Sequence, residues 1–161
     1  MLLLQEWKSV VHLTRTEMTA TLQQQAQETI CDSVLRHTQA LCEALRQNFI
    51  DYSIRSHALR TSDVEYHDAC IAKLKNGECN YSYVIESGRK YHKIIMVIDN
   101  GPERHISRSV HAFVDKNTGE MYKSASWKSP AKGVRYDLRL ISDREWLLEN
   151  ADWAGSYLYA R

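Results

Sequence analysis

Residues 108–138 carry the sequence RSVHAFVDKNTGEMYKSASWKSPAKGVRYDL, and this stretch decides the fold. Residues 109–115 alternate small or β-branched side chains with a histidine and a phenylalanine, which is typical of a β-strand. Residues 116–119 have the sequence Lys-Asn-Thr-Gly, which predicts a hairpin turn because glycine accepts the positive φ that such a turn requires. The expected continuation is a return strand over 120–126, a loop over 129–133 and a last strand over 134–140.

Two more strands are predicted upstream of the hairpin. Residues 81–86 alternate aromatic and small side chains, and residues 91–98 contain a β-branched run. The Asn-Gly-Pro sequence at 100–102 ends the second of these strands. At the other end of the chain, the tail 153–159 is rich in aromatic residues, so we expect it to pack on the sheet.

The first half of the chain is predicted to be mostly one long helix. Residues 16–54 contain neither glycine nor proline, and the helix would run for about ten turns. Its apolar positions recur four and seven residues apart, as a helical stripe requires. The stripe consists of Met18, Leu22, Ala26, Ile30, Val34, Leu41, Leu45 and Phe49. A narrow stripe on a long helix suits pairing with the core of the same chain or with another subunit.

Two shorter helices are also expected. The first begins at Ser62, which precedes a glutamate by three residues as in a capping box, and ends at the Asn-Gly pair 76–77. The second begins at Ser142, where the same capping-box spacing occurs. Together the elements predict an α+β fold: a long N-terminal helix, a second helix, a mainly antiparallel sheet of about four or five strands and a short C-terminal helix.

We expect one domain over 1–161. Within it, residues 1–60 would form a helical module that is available for oligomerisation, and residues 72–161 would form a compact β-sheet module. The whole chain contains four cysteines, and they include no CxxC pair. We therefore expect reduced thiols in a cytoplasmic protein. No signal peptide and no membrane span is expected.

The sequence predicts no metal site and no cofactor. His67, Cys70 and Cys79 are conceivable zinc ligands, but a fourth ligand is missing and the spacing is not that of a zinc site. Phosphate-binding, dinucleotide-binding, nucleophile-elbow and zinc-protease motifs are all absent from the sequence. A lone strand histidine such as His111, which we expect on the face opposite Val110 and Ala112, is more often structural than catalytic. We therefore favour a binding protein over an enzyme.

Charge is distributed unevenly along the chain. The net charge is +1, but residues 88–139 carry 11 Lys or Arg against 5 Asp or Glu. Such an excess on one segment is typical of a surface for an anionic partner. Part of it lies in the basic cluster 88–93, which either contributes to that surface or is a solubilising turn.

Cations, hydroxyl groups and aromatic rings are combined from residue 108 onwards. Lysine and arginine meet phosphates, and aromatic rings stack on bases at about 1–3 kcal/mol per base. The candidate ligand-binding residues are Arg108, Phe113, Lys123, Ser126, Trp127, Lys128, Lys132, Arg135 and Tyr136. The alternative is that Trp127 is a core residue, that the lysines form a solvated face and that the hairpin is scaffolding.

The chain resembles a widespread group of small proteins of tailed bacteriophages. The resemblance covers about residues 72–161 and rests on GRKY at 88–91, on the 108–138 sequence and on ADWAGSYLYAR at 151–161. It implies a phage or prophage origin and a location in the cytoplasm of an infected bacterium. In outline, a helical amino-terminal part with a basic sheet is also similar to phage proteins that sequester nucleotide-derived immune signals, such as those opposing the Thoeris system.

Three functional hypotheses follow from the sequence. The first is a non-enzymatic, homo-oligomeric phage protein for counter-defence or host takeover that binds a nucleotide or a nucleotide-derived, phosphate-bearing ligand. The second is a protein that binds single-stranded nucleic acid, whose affinity would fall steeply with salt. The third is an inhibitor of a host enzyme that acts through the long helix.

Overall fold

The longest element of the chain is a 44-residue helix, α1, in a computed structural model that describes residues 15–159. The helices are α1 (Arg15–Ala58), α2 (Val64–Lys75), α3 (Ile141–Asn150) and a 3₁₀ turn (Ser156–Leu158), and the strands are β1 (Tyr81–Ser87), β2 (Tyr91–Ile98), β3 (Ser107–Asp115), β4 (Glu120–Lys123) and β5 (Tyr136–Asp137). The five strands form one antiparallel sheet in sequence order. The predicted α+β fold is confirmed.

The predicted hairpin turn between β3 and β4 is present. The carboxylate of Asp115 accepts hydrogen bonds from the backbone N–H groups of Asn117 and Thr118 at 2.9 and 3.2 Å. Gly119 has a φ of 77°, and an added Cβ there would lie 2.8 Å from Cγ of Arg139. The turn therefore needs glycine for its backbone conformation and for space.

The second half of α1 covers one side of the sheet. Its buried residues Val34, Leu41 and Leu45 share one core with the strands, so helix and sheet are not packed separately. We call this side the helix face; its core side chains are Tyr83, Ile94, Ala112, Val114 and Met121. The opposite side, the open face, carries Val84, Glu86, Lys93 and Arg108. By contrast, every α1 residue from 15 to 29 is exposed.

A bulge in β3 changes which side chains share a face. The register shifts between Ile94 and Ile95 on the neighbouring strand, and this leaves His111 as the extra residue between Val110 and Ala112. Because a bulge interrupts the alternation of side chains, His111 lies on the helix face with Ala112. The prediction that the two residues point to opposite faces is wrong for this reason.

Both predicted capping boxes are wrong. The N-cap of α2 is Asp63, in a left-handed conformation with φ 50°, and its side chain makes no capping hydrogen bond. Ser142 lies inside α3, whose N-cap is Leu140. There the first turn is held differently, because the carboxylate of Asp143 accepts a hydrogen bond from the backbone N–H of Asp137 at 2.8 Å. By contrast, the predicted end of α2 is confirmed, since Gly77 has a φ of 79°.

The strands after the hairpin are shorter than expected. The return strand was predicted to reach residue 126 but ends at Lys123, and the last strand has only two residues. The chain turns early because the hydroxyl of Ser126 accepts hydrogen bonds from the backbone N–H groups of Lys128 and Ser129 at 3.3 and 3.2 Å. The expected packing of the tail is confirmed, because Tyr157 and Leu158 are buried in the core. Within residues 15–159, no helix has the length and apolar character needed to cross a membrane.

Truncating a core residue of α1 should destabilise the sheet as well as the helix. We expect Leu45→Ala to lower the free energy of unfolding by about 2–5 kcal/mol, because Leu45 is fully buried and a cavity would remain. The matched control, Leu22→Ala, changes a leucine of the same helix that is 64% exposed, and it should shift stability by less than about 0.5 kcal/mol. Urea unfolding followed by circular dichroism measures both. Equal losses for the two variants would contradict the shared core.

Candidate functional site

Trp127 lies on the open face, carried there by the loop that follows β4. Its side chain is 42% exposed. The ammonium of Lys93 lies 4.9 Å from the centre of its ring, and the guanidinium carbon of Arg108 lies 5.7 Å from the same point. Both distances fall within the range of cation–π contacts. The tryptophan therefore belongs to a cationic surface, and the interpretation of Trp127 as a core residue is not supported.

A single carboxylate holds these two cations in place. Glu86 lies 3.7 Å from the ammonium of Lys93 and 3.5 Å from the guanidinium of Arg108. The Lys93 side chain is only 15% exposed, whereas Glu86 and Arg108 are about half exposed. The half-exposed pair of Glu86 and Arg108 is a surface ion pair, which contributes little to stability, so Arg108 can rearrange around a ligand at little cost.

A cleft of about 240 Å³ adjoins Trp127 on the open face, and we call it the basic cleft. Its lining contains four cations and one carboxylate, that of Glu86. The cations are Arg89, Lys90, Lys93 and Lys128. Lys90 also lies 3.8 Å from the carboxylate of Asp115, so its charge is partly balanced. The ammonium of Lys116 donates a hydrogen bond to the carbonyl of Gly88 at 2.9 Å, and this fixes the turn at the rim.

The basic cleft brings together segments that lie far apart in the sequence. Lys93 and the turn between β1 and β2 belong to the basic cluster 88–93, whereas Lys128 belongs to the loop after β4. Glu86 is not among the predicted site residues, and Arg89, Lys90 and Lys93 are predicted only as members of a cluster that either contributes to the surface or is a solubilising turn. The pairing of Glu86 with Lys93 across β1 and β2 could have been inferred from a correct strand register. The contact between Lys93 and Trp127 depends on the conformation of the loop after β4, and no sequence pattern near either residue indicates it.

Two residues that we expected to stack on a ligand are core residues instead. Phe113 is 2% exposed and Tyr136 is 3% exposed. The Tyr136 ring stacks on Trp146 with ring centroids 5.3 Å apart, and its hydroxyl donates to the carbonyl of Tyr157 at 3.0 Å. The prediction that these two rings offer stacking faces is therefore wrong.

The remaining candidates do not form one site. Lys123 lies on the helix face, where its ammonium is 4.0 Å from the centre of the Tyr159 ring, so the sheet separates it from Arg108. Ser126 shapes the loop through the hydrogen bonds described above. Lys132 is exposed on the same loop, and the backbone N–H of the half-buried Arg135 donates to the carbonyl of Met121 at 2.7 Å. Of the nine predicted residues, Arg108, Trp127 and Lys128 are thus at or beside the basic cleft, and Phe113 forms its covered floor.

His111 is a neutral histidine on the helix face, away from the basic cleft. One of its ring nitrogens, Nε2, lies 2.8 Å from the hydroxyl of Tyr157, and its ring makes an edge contact with Tyr83. Burial lowers the pKa of His111 to about 4, although the nearby carboxylate of Asp152 opposes this shift. Burial also raises the pKa of Tyr157, so both groups are uncharged at neutral pH.

The fold and the site together define an α+β protein with a helix-covered sheet and a cationic, aromatic open face. The chain belongs to the family of unknown function DUF7717, which matches residues 18–160. That match includes most of α1 together with the sheet. Comparisons with curated proteins and with solved structures give no match.

The neutral state of His111 predicts acid sensitivity. Its folded-state pKa of about 4 lies below the value of about 6.5 expected in the unfolded chain, so the unfolded chain binds more protons between these values. The stabilisation is therefore fully present above about pH 6.5 and is lost as the pH falls through the folded-state pKa, by up to roughly 3 kcal/mol.

The measurement compares urea unfolding at about pH 7 and about pH 4.5 for the natural protein and for His111→Gln, which has no titratable ring. All other histidines are common to both proteins, so the difference between their pH slopes reports His111 alone. The natural protein should lose more stability on acidification than the variant. Parallel pH dependences would show that His111 titrates normally.

Proposed function

We propose that this protein is a phage-encoded, non-enzymatic binding protein that captures a nucleotide or a nucleotide-derived, phosphate-bearing ligand. The observation that carries the proposal is the basic cleft, where four cations face one carboxylate next to a half-exposed tryptophan. The phage origin rests on the sequence resemblance over 72–161. A role in counter-defence or host takeover, in the cytoplasm of the infected host, follows from that origin.

The residues of the cleft divide between two tasks. Lys93, Lys128 and Arg89 would meet the phosphates, since charge-assisted hydrogen bonds to phosphate are stronger than neutral ones. Trp127 would supply the flat surface for the base. Because Lys93 already touches the Trp127 ring, a phosphate on Lys93 and a base on Trp127 would lie next to each other, as they do in a nucleotide.

Lys93→Met should weaken nucleotide binding by roughly tenfold, because it removes the ammonium that lies over the Phe113 and Trp127 rings while keeping an unbranched apolar side chain. Isothermal titration with cyclic and ADP-ribose-derived nucleotides measures the affinity. Lys132→Met is the matched control, since Lys132 is an exposed lysine outside the lining of the basic cleft, and it should bind normally. Silent titrations for the natural protein across the whole panel would remove the proposal.

Glu86→Gln should have the opposite effect. The substitution removes the carboxylate from the cleft lining and releases Lys93 and Arg108 from their ion pairs. A change of one unit charge at about 4 Å is worth roughly 1 kcal/mol in water, so the affinity for a phosphate-bearing ligand should rise about fivefold at low salt. The same titrations measure it, with unfolding curves as the check on folding. An unchanged or weaker affinity would place the anion elsewhere.

Pairing through α1 is a second candidate activity, favoured by one observation. The first 15 described residues of α1, from 15 to 29, are all exposed, including Met18 and Leu22 of the predicted stripe. At 1.5 Å per residue this is about 22 Å of helix on which no side chain is buried by the described part of the chain. A second copy of the chain or a host protein would bury it.

Removing residues 1–25 separates this pairing from ligand binding. The truncated protein keeps Val34 and the rest of the core, and it keeps the hydrogen bond from Gln27 Nε2 to Asn117 Oδ1 at 3.0 Å. We expect it to fold and to bind nucleotide normally while its self-association is lost. Light scattering after size-exclusion chromatography measures the mass of both forms. Equal masses for the full chain and the truncated chain would exclude this segment as the oligomer interface.

A further inference from the structure

A second cleft, of about 370 Å³, lies on the helix face between β3, β4 and the C-terminal segment. We call it the C-terminal cleft; its lining includes Met96, His111, Lys123, Trp153, Leu158 and Tyr159. Its volume lies within the range of small-molecule sites. The sheet separates it from the basic cleft, and the two share no lining residue.

The hydrogen bonding of His111 determines what this cleft offers a ligand. The buried hydroxyl of Tyr157 has one hydrogen-bond partner among residues 15–159, His111 Nε2 at 2.8 Å. If Nε2 carried the proton, the hydroxyl proton of Tyr157 would lack an acceptor, and a buried donor without an acceptor is costly. Tyr157 therefore donates to Nε2, and the proton of the neutral imidazole is on Nδ1.

The Nδ1–H group of His111 is left as a donor at the wall of the cleft. Nδ1 forms no hydrogen bond with residues 15–159, whereas Nε2 is bonded to the Tyr157 hydroxyl. Gly155, which also lines the cleft, packs against the ring so closely that an added Cβ would lie 3.3 Å from Cε1 and 3.7 Å from Nδ1. A side chain at position 155 would crowd the ring edge that carries Nδ1.

The charges and walls of the cleft define the class of ligand. Among the described lining residues, Lys123 is the one cation, held over the Tyr159 ring, and none is an aspartate or a glutamate. Ser109 and Ser124 add hydroxyl groups. The remaining walls are largely apolar or aromatic, with the Trp153 and Tyr159 side chains among them. One cation with neutral donors and flat walls suits a singly or doubly charged anion with a flat body.

We propose that the C-terminal cleft is a second, separate binding site for a flat organic anion of low charge. Lys123 meets the anionic group, His111 Nδ1–H donates to a polar atom of the flat body, and Trp153 and Tyr159 form its walls. An aromatic carboxylate and a nucleoside monophosphate share this chemistry. The site does not depend on the basic cleft, because its cation and its donors lie on the other face of the sheet.

Fluorine NMR on the full chain labelled with fluorotryptophan tests this proposal and distinguishes the two clefts. Trp153 lines the C-terminal cleft and Trp127 lies on the open face beside the basic cleft, and single Trp→Phe variants assign their resonances. The probes are indole-3-carboxylate and AMP, titrated separately. We expect at least one probe to shift the Trp153 resonance saturably. A shift with only one probe shows whether the site takes a carboxylate or a phosphate. A shift with both probes shows that the site accepts either kind of flat anion.

Lys123→Met should weaken that binding by roughly tenfold, whereas Lys132→Met should leave it unchanged. The tautomer has its own readout, because nitrogen NMR of His111 should show the proton on Nδ1. No saturable shift of Trp153 with either probe, or equal affinities for the two lysine variants, would overturn the proposal. A proton on Nε2 would overturn the role of His111. A shift confined to Trp127 would also overturn the second site while leaving the proposed function intact.

Discussion

The packing of the second half of α1 against one side of the sheet is the constraint on which the rest of the molecule depends. Val34, Leu41 and Leu45 are wholly or almost wholly buried, and they share their core with strand residues such as Ile94 and Met121. Because a five-stranded antiparallel sheet has two faces and α1 covers one, polar side chains on the other face remain available. The helix thereby leaves the open face uncovered, although it contributes no residue to the basic cleft.

The elements that could be predicted from the sequence are those with a local cause. The hairpin needs only an aspartate that accepts backbone hydrogen bonds and Gly119 at positive φ, and both are visible in the sequence. Strand β2 was predicted with its observed ends for the same kind of reason, a β-branched run ended by a turn. The caps were misassigned because serine–glutamate spacing is a weak signal. At α3 the first turn is held instead by the Asp143 carboxylate, which accepts a hydrogen bond from the backbone N–H of Asp137 just before the helix.

The site was predicted less well than the fold because it depends on which face each side chain occupies. Of the residues predicted near the hairpin, Arg108, Trp127 and Lys128 lie on the open face at or beside the basic cleft. Lys123 does not, because residues of one strand alternate between faces and it pairs with Ala112, a residue of the core. The burial of Tyr136 depends on α3 and on the C-terminal tail, and no pattern around residue 136 indicates that cover.

The bulge at His111 determines which face of the sheet the side chains of β3 occupy. Arg108 and Phe113 are five residues apart, so regular alternation would place them on opposite faces of the sheet. One extra residue between them restores both to the open face, where Arg108 reaches Trp127 and Phe113 forms the covered floor of the basic cleft. The same extra residue is His111, which turns its ring to the helix face and into the wall of the C-terminal cleft. The bulge in β3 thus allows this strand to contribute side chains to two clefts of different charge. Removing the bulge would therefore change the lining of both clefts.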